Sequence, residues 1–166
     1  LVVNIWRPLW AGPTRAERVR WVAVTALCVL VVPALKQFSL TSCPWDLAEF
    51  GGPAQYVSHW MLGMADGGGA HCFPGGHASS MLAFVGAALP LLSGRRATTT
   101  RGGLLLAALL LGGAALGLVQ TLRGAHYPSH TLWTMVICYT ANGVVWWAVH
   151  AWAARRGARS AGALPA

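Results

Sequence analysis

The sequence predicts an all-α fold: a polytopic membrane helix bundle with four transmembrane helices. Of the 166 residues, 55% are hydrophobic and only 10% are charged, and the mean hydropathy is +0.52. A soluble domain of ordinary composition carries about 25% charged residues. The apolar residues fall in four runs, and arginines cluster between these runs. Composition, segmentation and charge placement therefore all indicate one domain embedded in a membrane.

The predicted crossings are the four apolar runs 19–35, 78–92, 103–122 and 132–154. A membrane helix needs about 20 apolar residues, with a range of about 17 to 25. The third and fourth runs meet this length, whereas the first two need flanking residues to complete a span. The fourth run carries tryptophans toward both ends, which favours a membrane helix over a buried helix of a soluble protein. In the third run, Gly112, Gly113 and Gly117 predict close contact with neighbouring helices.

The arginine clusters predict which side of the membrane each end faces. They precede the first run, separate the second from the third, and follow the fourth, so with four crossings they share one side. Positively charged loops are typical of the cytoplasmic side. Lys36, Arg123 and nearly all of the histidines then lie on the outer side. The same clustering favours the lipid bilayer as a partner and argues against nucleic acid, which would need a basic stripe on one folded surface.

Composition divides the chain into three parts. Residues 1–20 are predicted to be a cytoplasmic linker, residues 21–154 the transmembrane domain, and residues 155–166 a disordered cytoplasmic tail. The segment 37–76 is a long outer loop, in which residues 54–64 are predicted to form a short interfacial helix. A long loop in a compact protein is usually either functional or disordered. The aromatic residues of this loop favour function.

His77 is the first candidate for chemistry, because it follows Pro74-Gly75-Gly76 at the start of the second run. The start of a helix leaves backbone N–H groups free and favours a bound anion. Gly75 and Gly76 allow a ligand to approach the backbone closely. A histidine at this place is suited to act as a general acid toward such an anion. The alternative is an ordinary turn followed by an interfacial histidine.

His126 and His130 form a second candidate group at the start of the fourth run. Four residues apart, they share one face of a helix, and Arg123 precedes them by one turn. Together with Lys36, these groups can converge on one phosphate, or the two cations can simply reach toward lipid headgroups. A zinc site is a competing interpretation: His126-x-x-x-His130 would bind the metal with His71, His77 or Asp66.

The order and spacing of these residues resemble the membrane-bound type-2 phosphatidic acid phosphatase superfamily. That family carries the motifs Lys-x6-Arg-Pro, Pro-Ser-Gly-His and Ser-Arg-x5-His-x3-Asp. The similarity covers residues 36–130, and the motifs fall at the outer ends of predicted helices. The three similar segments are Lys36-x6-Cys43-Pro44, Phe73-Pro74-Gly75-Gly76-His77 and Val119-Gln120-x5-His126-x3-His130.

The resemblance implies a role for each matching position. His126 would be the nucleophile that forms a phosphohistidine, and His77 would be the general acid that protonates the leaving oxygen. Lys36 and the backbone amides near Gly75 and Gly76 would bind the phosphate, and no cofactor or metal is implied. His130 would orient His126 in place of the family's aspartate.

Several positions depart from the family pattern, and two of the departures remove arginines. Cys43, Gly75, Gln120 and His130 stand where the family has Arg, Ser, Arg and Asp. Because a hydrogen bond to a charged group is worth about 1.5–3 kcal/mol, the two lost arginines need compensation. Arg123, one helical turn from the expected position, is the predicted substitute. Asp46 or Asp66 is a further candidate for the missing carboxylate beside His126.

The resemblance also bears on the cysteines and on the activity. Cys43 and Cys72 flank the first two motifs in the outer loop, and an oxidising compartment would allow a Cys43–Cys72 disulfide. The family has two helices before the first motif's helix, so this chain is interpreted as lacking them. The implied activity is hydrolysis of a lipid phosphate or diphosphate at the outer face of a bacterial inner membrane. A phosphotransferase on the same scaffold, or an inactive relative, remains an alternative.

Overall fold

Six α-helices account for most of the chain in a computed structural model, which describes residues 2–7, 14–92 and 96–161. The all-α bundle predicted from the sequence is confirmed, and the described residues contain no strand beyond an isolated bridge between Leu47 and Ala54. Three 3-10 helices interrupt the connections, at Pro44–Asp46, Ala48–Phe50 and Val85–Ala87. The α-helices are α1 Val3–Trp6, α2 Arg15–Gln37, α3 Gly76–Leu82, α4 Leu89–Leu92, α5 Arg96–Leu122 and α6 Pro128–Ala161.

Three helices of the described part are long and apolar enough to cross a membrane: residues 15–37, 99–122 and 128–152. Only 17 to 22% of the residues in their most apolar windows are buried inside the protein. On α5, for example, Leu104, Leu111, Leu118 and Leu122 form an outward stripe, 59 to 79% exposed. Apolar surface of this extent is stable against lipid and costly in water. The helices are therefore compatible with a multi-pass membrane protein.

The first long helix begins at Arg15, before the predicted apolar run, because Thr14 and Glu17 form a capping box. The Thr14 hydroxyl accepts a hydrogen bond from the Glu17 amide at 3.3 Å, and the Glu17 carboxylate accepts one from the Thr14 amide at 2.7 Å. This exchange satisfies two N–H groups that the helix start leaves free. The last residues predicted as a linker thus belong to α2.

The second apolar run is not one continuous helix, although it lies along α5, with Leu82 beside Gly113 and Leu91 beside Gly102. It consists of the seven-residue α3, the 3-10 helix Val85–Ala87 and the short α4. The backbone hydrogen bonds change from the four-residue spacing of an α-helix to the three-residue spacing of a 3-10 helix. The Phe84 amide donates to the Met81 carbonyl, and the Ala87 amide donates to the Phe84 carbonyl. The proline at position 90 has no N–H to donate to residue 86, so one continuous helix through α3 and α4 would lack that hydrogen bond.

The glycines of α5 allow close helix contact, as predicted. A methyl group on Gly113 would lie 2.7 Å from Leu82 Cγ of α3, and one on Gly112 would lie 2.6 Å from Met81 Cε. A methyl group on Gly117 would collide with the Thr131 side chain of α6. These three positions bring α5 against the end of α3 and against the start of α6.

The helices α2 and α6 meet through small buried residues in the middle of the bundle. Cys28 and Cys138 are free cysteines with no exposed surface. Between them, the Asn142 side-chain amide donates to the Cys138 carbonyl at 2.8 Å and to Cys28 Sγ at 3.1 Å. Val32, Ala78 and Leu82 extend this core toward the end of α2.

Two further predictions about local structure are corrected. Residues 54–64 form turns and extended backbone, not an interfacial helix. Among their side chains, Tyr56, Trp60 and Leu62 are exposed, so no continuous helical face packs on the bundle. The helix α6 continues through Ala161, into the tail that was predicted to be disordered. Residues 162–166 of that tail lie outside the described residues.

Substitution of Gly117 by alanine is expected to destabilise the bundle, since the new methyl group collides with the β-branched Thr131. Overpacking of this kind costs about 1–3 kcal/mol, which thermal unfolding of the detergent-solubilised protein would show as a lower Tm. Gly103→Ala on the same helix is the matched control, because nothing lies within 4 Å of its added methyl group. Equal Tm values for the two variants would contradict the close packing of α5 on α6.

Candidate functional site

The ends of four segments meet at one end of the bundle, here called the histidine end: the end of α2, the start of α3, the end of α5 and the start of α6. The Gly75 amide before α3 donates to the His130 carbonyl in α6 at 3.3 Å. After α2, the Trp45 amide donates to the Gly124 carbonyl beyond α5 at 3.0 Å. These bonds bring the segments that carry the three sequence motifs together.

His126 lies in the tight connection between α5 and α6. Gly124 adopts a left-handed conformation with φ of 70°, which a glycine adopts without strain. The chain then folds back, and the Ala125 and His126 amides both donate to the Gln120 carbonyl, at 2.9 and 3.2 Å. His126 is thereby held at a defined position with only 4% of its surface exposed.

His77 lies opposite His126 in the first turn of α3. The centroids of the two imidazole rings are 6.4 Å apart, and the ring planes are inclined by 58°. His77 is exposed, whereas His126 is buried. The pair thus combines a ring that exchanges protons with water and a ring that is shielded from it.

Lys36 brings the nearest positive charge to this pair. It lies in the last turn of α2, half-buried, and a Cβ built on Gly76 would be 4.0 Å from its Nζ. The space between the ammonium group and the start of α3 is therefore open because residue 76 has no side chain. An anion placed there would contact Lys36 and the free N–H groups of the first turn of α3.

Both polar groups of the backbone of Gly75, a residue predicted to contribute to phosphate binding, are bonded to α6. Its amide donates to the His130 carbonyl, and its carbonyl accepts a hydrogen bond from Thr134 Oγ1 at 2.8 Å. Of the two glycines predicted to supply amides, Gly76 alone keeps its amide free of any hydrogen bond within the described part of the chain. Gly75 instead fixes the position of α3.

The pKa of His126 is lowered to about 4 from its ordinary value near 6.5. Burial is the largest cause, because the imidazolium ion loses its hydration. The positive charges of Lys36 and His77 lower the pKa further, while the Cys72 backbone carbonyl acts in the opposite direction. At neutral pH His126 is therefore uncharged and keeps a lone pair on one ring nitrogen.

The predicted role of His130 as hydrogen-bond partner of His126 is corrected. The two ring centroids are 5.7 Å apart, but neither ring nitrogen of the fully buried His130 has a hydrogen-bond partner among the described residues. His130 packs instead against the rings of Phe73 and Tyr127, with centroids 5.3 and 5.4 Å away. Its main contact with the site is through its backbone carbonyl, which accepts from Gly75.

Asp66 and Asp46 are not the missing carboxylate. Asp66 accepts hydrogen bonds from the amide and hydroxyl of Ser42, both at 2.6 Å, and from the Gly68 amide at 3.1 Å. Burial raises the pKa of Asp66, but these hydrogen bonds outweigh it and the net pKa is lowered. Asp66 therefore organises the outer loop, and none of the described hydrogen bonds joins the Asp46 carboxylate to His126.

Arg123 and Gln120 lie in different environments, although both were compared with a family arginine. Arg123 is exposed, and the charges that lower the pKa of His126 are those of Lys36 and His77. Gln120 is 5% exposed, and its backbone carbonyl holds the turn that carries His126. The predicted substitution of Arg123 for a family arginine has no described contact to support it.

Cys43 and Cys72 form a disulfide with a Cα–Cα distance of 5.1 Å. It joins the segment after α2 to the segment before α3. The sulfur atoms, together with His126, form the one cluster of three potential metal ligands among the described residues. Because both thiolates are consumed by the disulfide, this cluster does not offer a metal site. The zinc ligands considered from the sequence, including Asp66 and His71, do not converge in the described residues.

Two residues that support the site, Thr134 and His59, were not predicted from the sequence. Thr134 Oγ1 shares its hydrogen between the Gly75 and His130 carbonyls, at 2.8 and 2.9 Å. Its position four residues after His130, on the same helical face, was the available signal. His59 stacks on Phe73 with ring centroids 4.5 Å apart. No local pattern in the sequence indicated that contact.

The family of the chain follows from comparison with known proteins. A search of curated proteins and a search of solved structures each gave no match. The family model described as PAP2 superfamily matches residues 19–154, which include every residue of the histidine end described above. Its members are phosphatases in general, in keeping with a buried neutral histidine, a second histidine and a lysine around one open space. The chain belongs to the PAP2 superfamily.

Proposed function

We propose that this chain hydrolyses a lipid phosphate or diphosphate at the outer face of a bacterial inner membrane, through a phosphohistidine on His126. Membership of the superfamily supports a phosphatase-type function. The observation that carries the specific proposal is the pairing of His126, buried and uncharged at neutral pH, with the exposed His77, 6.4 Å away between ring centroids. Such a pair offers a nucleophile and a proton donor in one place.

The first chemical step is attack of His126 on phosphorus. The unprotonated ring nitrogen forms the N–P bond while the bond between phosphorus and the lipid oxygen breaks. His126 suits this role, since its low pKa keeps the lone pair available at neutral pH. Burial also shields the phosphohistidine from protonation by bulk solvent until water reaches it.

His77 supplies the proton that the leaving oxygen needs. In its protonated form it donates to the lipid oxygen as the P–O bond breaks, and the resulting neutral ring can then accept a proton from the attacking water. Its exposure allows it to exchange protons with the aqueous phase between turnovers. Hydrolysis of the N–P bond by water restores His126 and releases inorganic phosphate.

Lys36 is the proposed charge partner of the phosphate. Its ammonium group faces the open space above Gly76, where the first-turn amides of α3 also point. A charged donor in a partly buried site stabilises the transferring phosphoryl group more strongly than one in water. The phosphate clamp would thus rest on one lysine and backbone amides in place of the family's arginines.

Loss of the nucleophile is expected to abolish activity. Purified His126→Ala in detergent should release no phosphate from phosphatidic acid above background, because the proposed covalent intermediate forms on His126. His150→Ala is the matched control and should retain activity, since His150 lies twenty residues along α6 from His130, about 30 Å away. If wild-type protein and His126→Ala behave alike with every lipid phosphate and acceptor lipid tested, the chain is an inactive relative.

The same protein distinguishes hydrolysis from transfer. Phosphatidic acid carrying radioactive phosphate is incubated with or without an added lipid alcohol, and the products are separated. Release of inorganic phosphate in both conditions supports the hydrolase. Label that appears only in the added lipid, and depends on His126, supports the phosphotransferase.

The substitution His77→Ala is expected to lower kcat mainly for substrates with poor leaving groups. With a lipid alkyl phosphate, kcat should fall by about 10²–10⁴-fold, the usual contribution of a general acid. With p-nitrophenyl phosphate the decrease should be much smaller, because nitrophenolate leaves without a proton. An equal decrease for both substrates would indicate that His77 has another role, such as binding.

The decrease of activity on the acid side of the pH profile is expected to reflect protonation of His126. Since its pKa is about 4, the lone pair is present at neutral pH and is lost as the pH falls through that value. The acid-side decrease of kcat/KM, which reports the free enzyme, should therefore have its midpoint near pH 4. Recovery of full activity after return to pH 7 excludes irreversible unfolding. A midpoint near 6.5 would contradict the burial of His126.

A further inference from the structure

The disulfide touches the imidazole that the proposed reaction uses. Cys72 Sγ lies 3.3 Å from His126 Nδ1 and 3.0 Å from the Ala125 carbonyl oxygen. Cys72 has no exposed surface, and His126 is 4% exposed, so water does not separate them. Because a disulfide sulfur carries no hydrogen, it accepts and cannot donate. A hydrogen bond between these atoms therefore requires the hydrogen on Nδ1 of His126.

No other described side chain competes for this nitrogen. The His130 ring nitrogens have no hydrogen-bond partner, and the Asp66 carboxylate is occupied by Ser42 and Gly68. The Cys72 backbone carbonyl acts on His126 in the same sense as the sulfur, since it favours a hydrogen on the ring. Among the described side chains, the Cys72 sulfur is thus the acceptor that faces Nδ1.

We propose that Cys72, while it is joined to Cys43, is the positioning residue of His126: its sulfur accepts the Nδ1 hydrogen and leaves Nε2 unprotonated. The two nitrogens point in diverging directions on the ring, so the lone pair on Nε2 points away from the disulfide. The catalytic meaning of this arrangement rests on the proposed phosphatase function. The sulfur would then perform the task for which the family uses a carboxylate and for which the sequence suggested His130.

Reduction of the disulfide would allow Cys72, an acceptor toward His126 when oxidised, to donate a hydrogen bond. A dithiol such as dithiothreitol transfers two electrons and two protons, the S–S bond breaks, and two S–H groups form while the dithiol is oxidised. The Cys72 thiol can then donate a hydrogen bond to Nδ1, which favours the hydrogen on Nε2. That tautomer has no lone pair on Nε2 for attack on phosphorus. The chain would therefore be active when oxidised and weakened when reduced.

The backbone around Cys72 is held by bonds that do not involve the disulfide. The Cys72 amide donates to the Thr41 carbonyl and the His71 amide to the Ser39 carbonyl, both at 2.9 Å. The Ala70 amide donates to Ser42 Oγ at 3.0 Å. We therefore expect Cys43→Ala/Cys72→Ala to keep the fold of this segment, which makes the variant usable as a test.

The test is the tautomer of His126, read from the ¹⁵N chemical shifts of histidine-labelled protein in micelles at pH 7. His126→Gln identifies the signal. His71 and His150 serve as internal standards, because their Nδ1 atoms face backbone carbonyls at 3.1 and 2.8 Å and must carry the hydrogen. Wild-type oxidised protein should show His126 with the hydrogen on Nδ1. Cys43→Ala/Cys72→Ala should lose this preference, whereas the control Cys28→Ala/Cys138→Ala should keep it.

A kinetic measurement accompanies the spectrum. In the Cys43→Ala/Cys72→Ala variant, kcat should fall by about 10- to 100-fold, as when the outer partner of a metal-bound histidine is removed, while KM changes little. A hydrogen on Nε2 in the oxidised wild-type protein overturns the proposal, whether or not the variant folds. An unchanged tautomer in a folded variant also overturns it.

The two proposals fail in different ways. If oxidised wild-type protein has the predicted tautomer but no activity on any phosphate, the positioning by Cys72 stands and the phosphatase proposal fails. If the protein is active with the hydrogen on Nε2, the phosphatase proposal stands and the positioning by Cys72 fails.

Discussion

The backbone of Gly75 is bonded to α6 through both of its polar groups, and the geometry of the site depends on this contact. Its amide donates to the His130 carbonyl, and its carbonyl accepts from Thr134. His77 follows Gly75 by two residues, and His126 precedes α6 by two. The docking of Gly75 therefore sets the distance between the two histidines. Both partners are buried, and a buried backbone group left without a partner is costly, so this contact resists displacement.

Close packing of α5 makes that docking possible. Gly113 and Gly117 remove side chains where α5 meets α3 and α6, so the short α3 lies between the two long helices. An α3 of only seven residues would be marginal alone, since short helices depend on tertiary packing. The broken second run is consistent with this arrangement: its first turn positions His77, and the chain beyond it follows the surface of α5 as far as Leu91, which lies beside Gly102.

The electrostatics of the histidine end follow from burial more than from the number of charges. Few charged groups are present, and Asp66 is committed to the outer loop. Within the described site, the charges of Lys36 and His77 act on His126, and the shielding of that ring from water is the larger cause of its neutral state. Where the family has two arginines and an aspartate, this site has backbone amides, one lysine and a disulfide. The chemistry of the site therefore rests on fewer, more buried contacts than the motifs alone would indicate.

The sequence by itself determined the all-α class, the three long apolar helices, the glycine contacts of α5 and the grouping of Lys36, His77 and His126. These depend on hydrophobic periods and short spacings, which are local properties of a chain. Tertiary structure decided the rest: the interruption of the second run, the bonded state of Gly75, the isolation of the His130 ring and the sulfur beside His126. Each depends on which atoms from distant segments come within about 3 Å. Residue type and spacing do not carry that information, because one residue can serve as ligand, acceptor or packing group according to its neighbours.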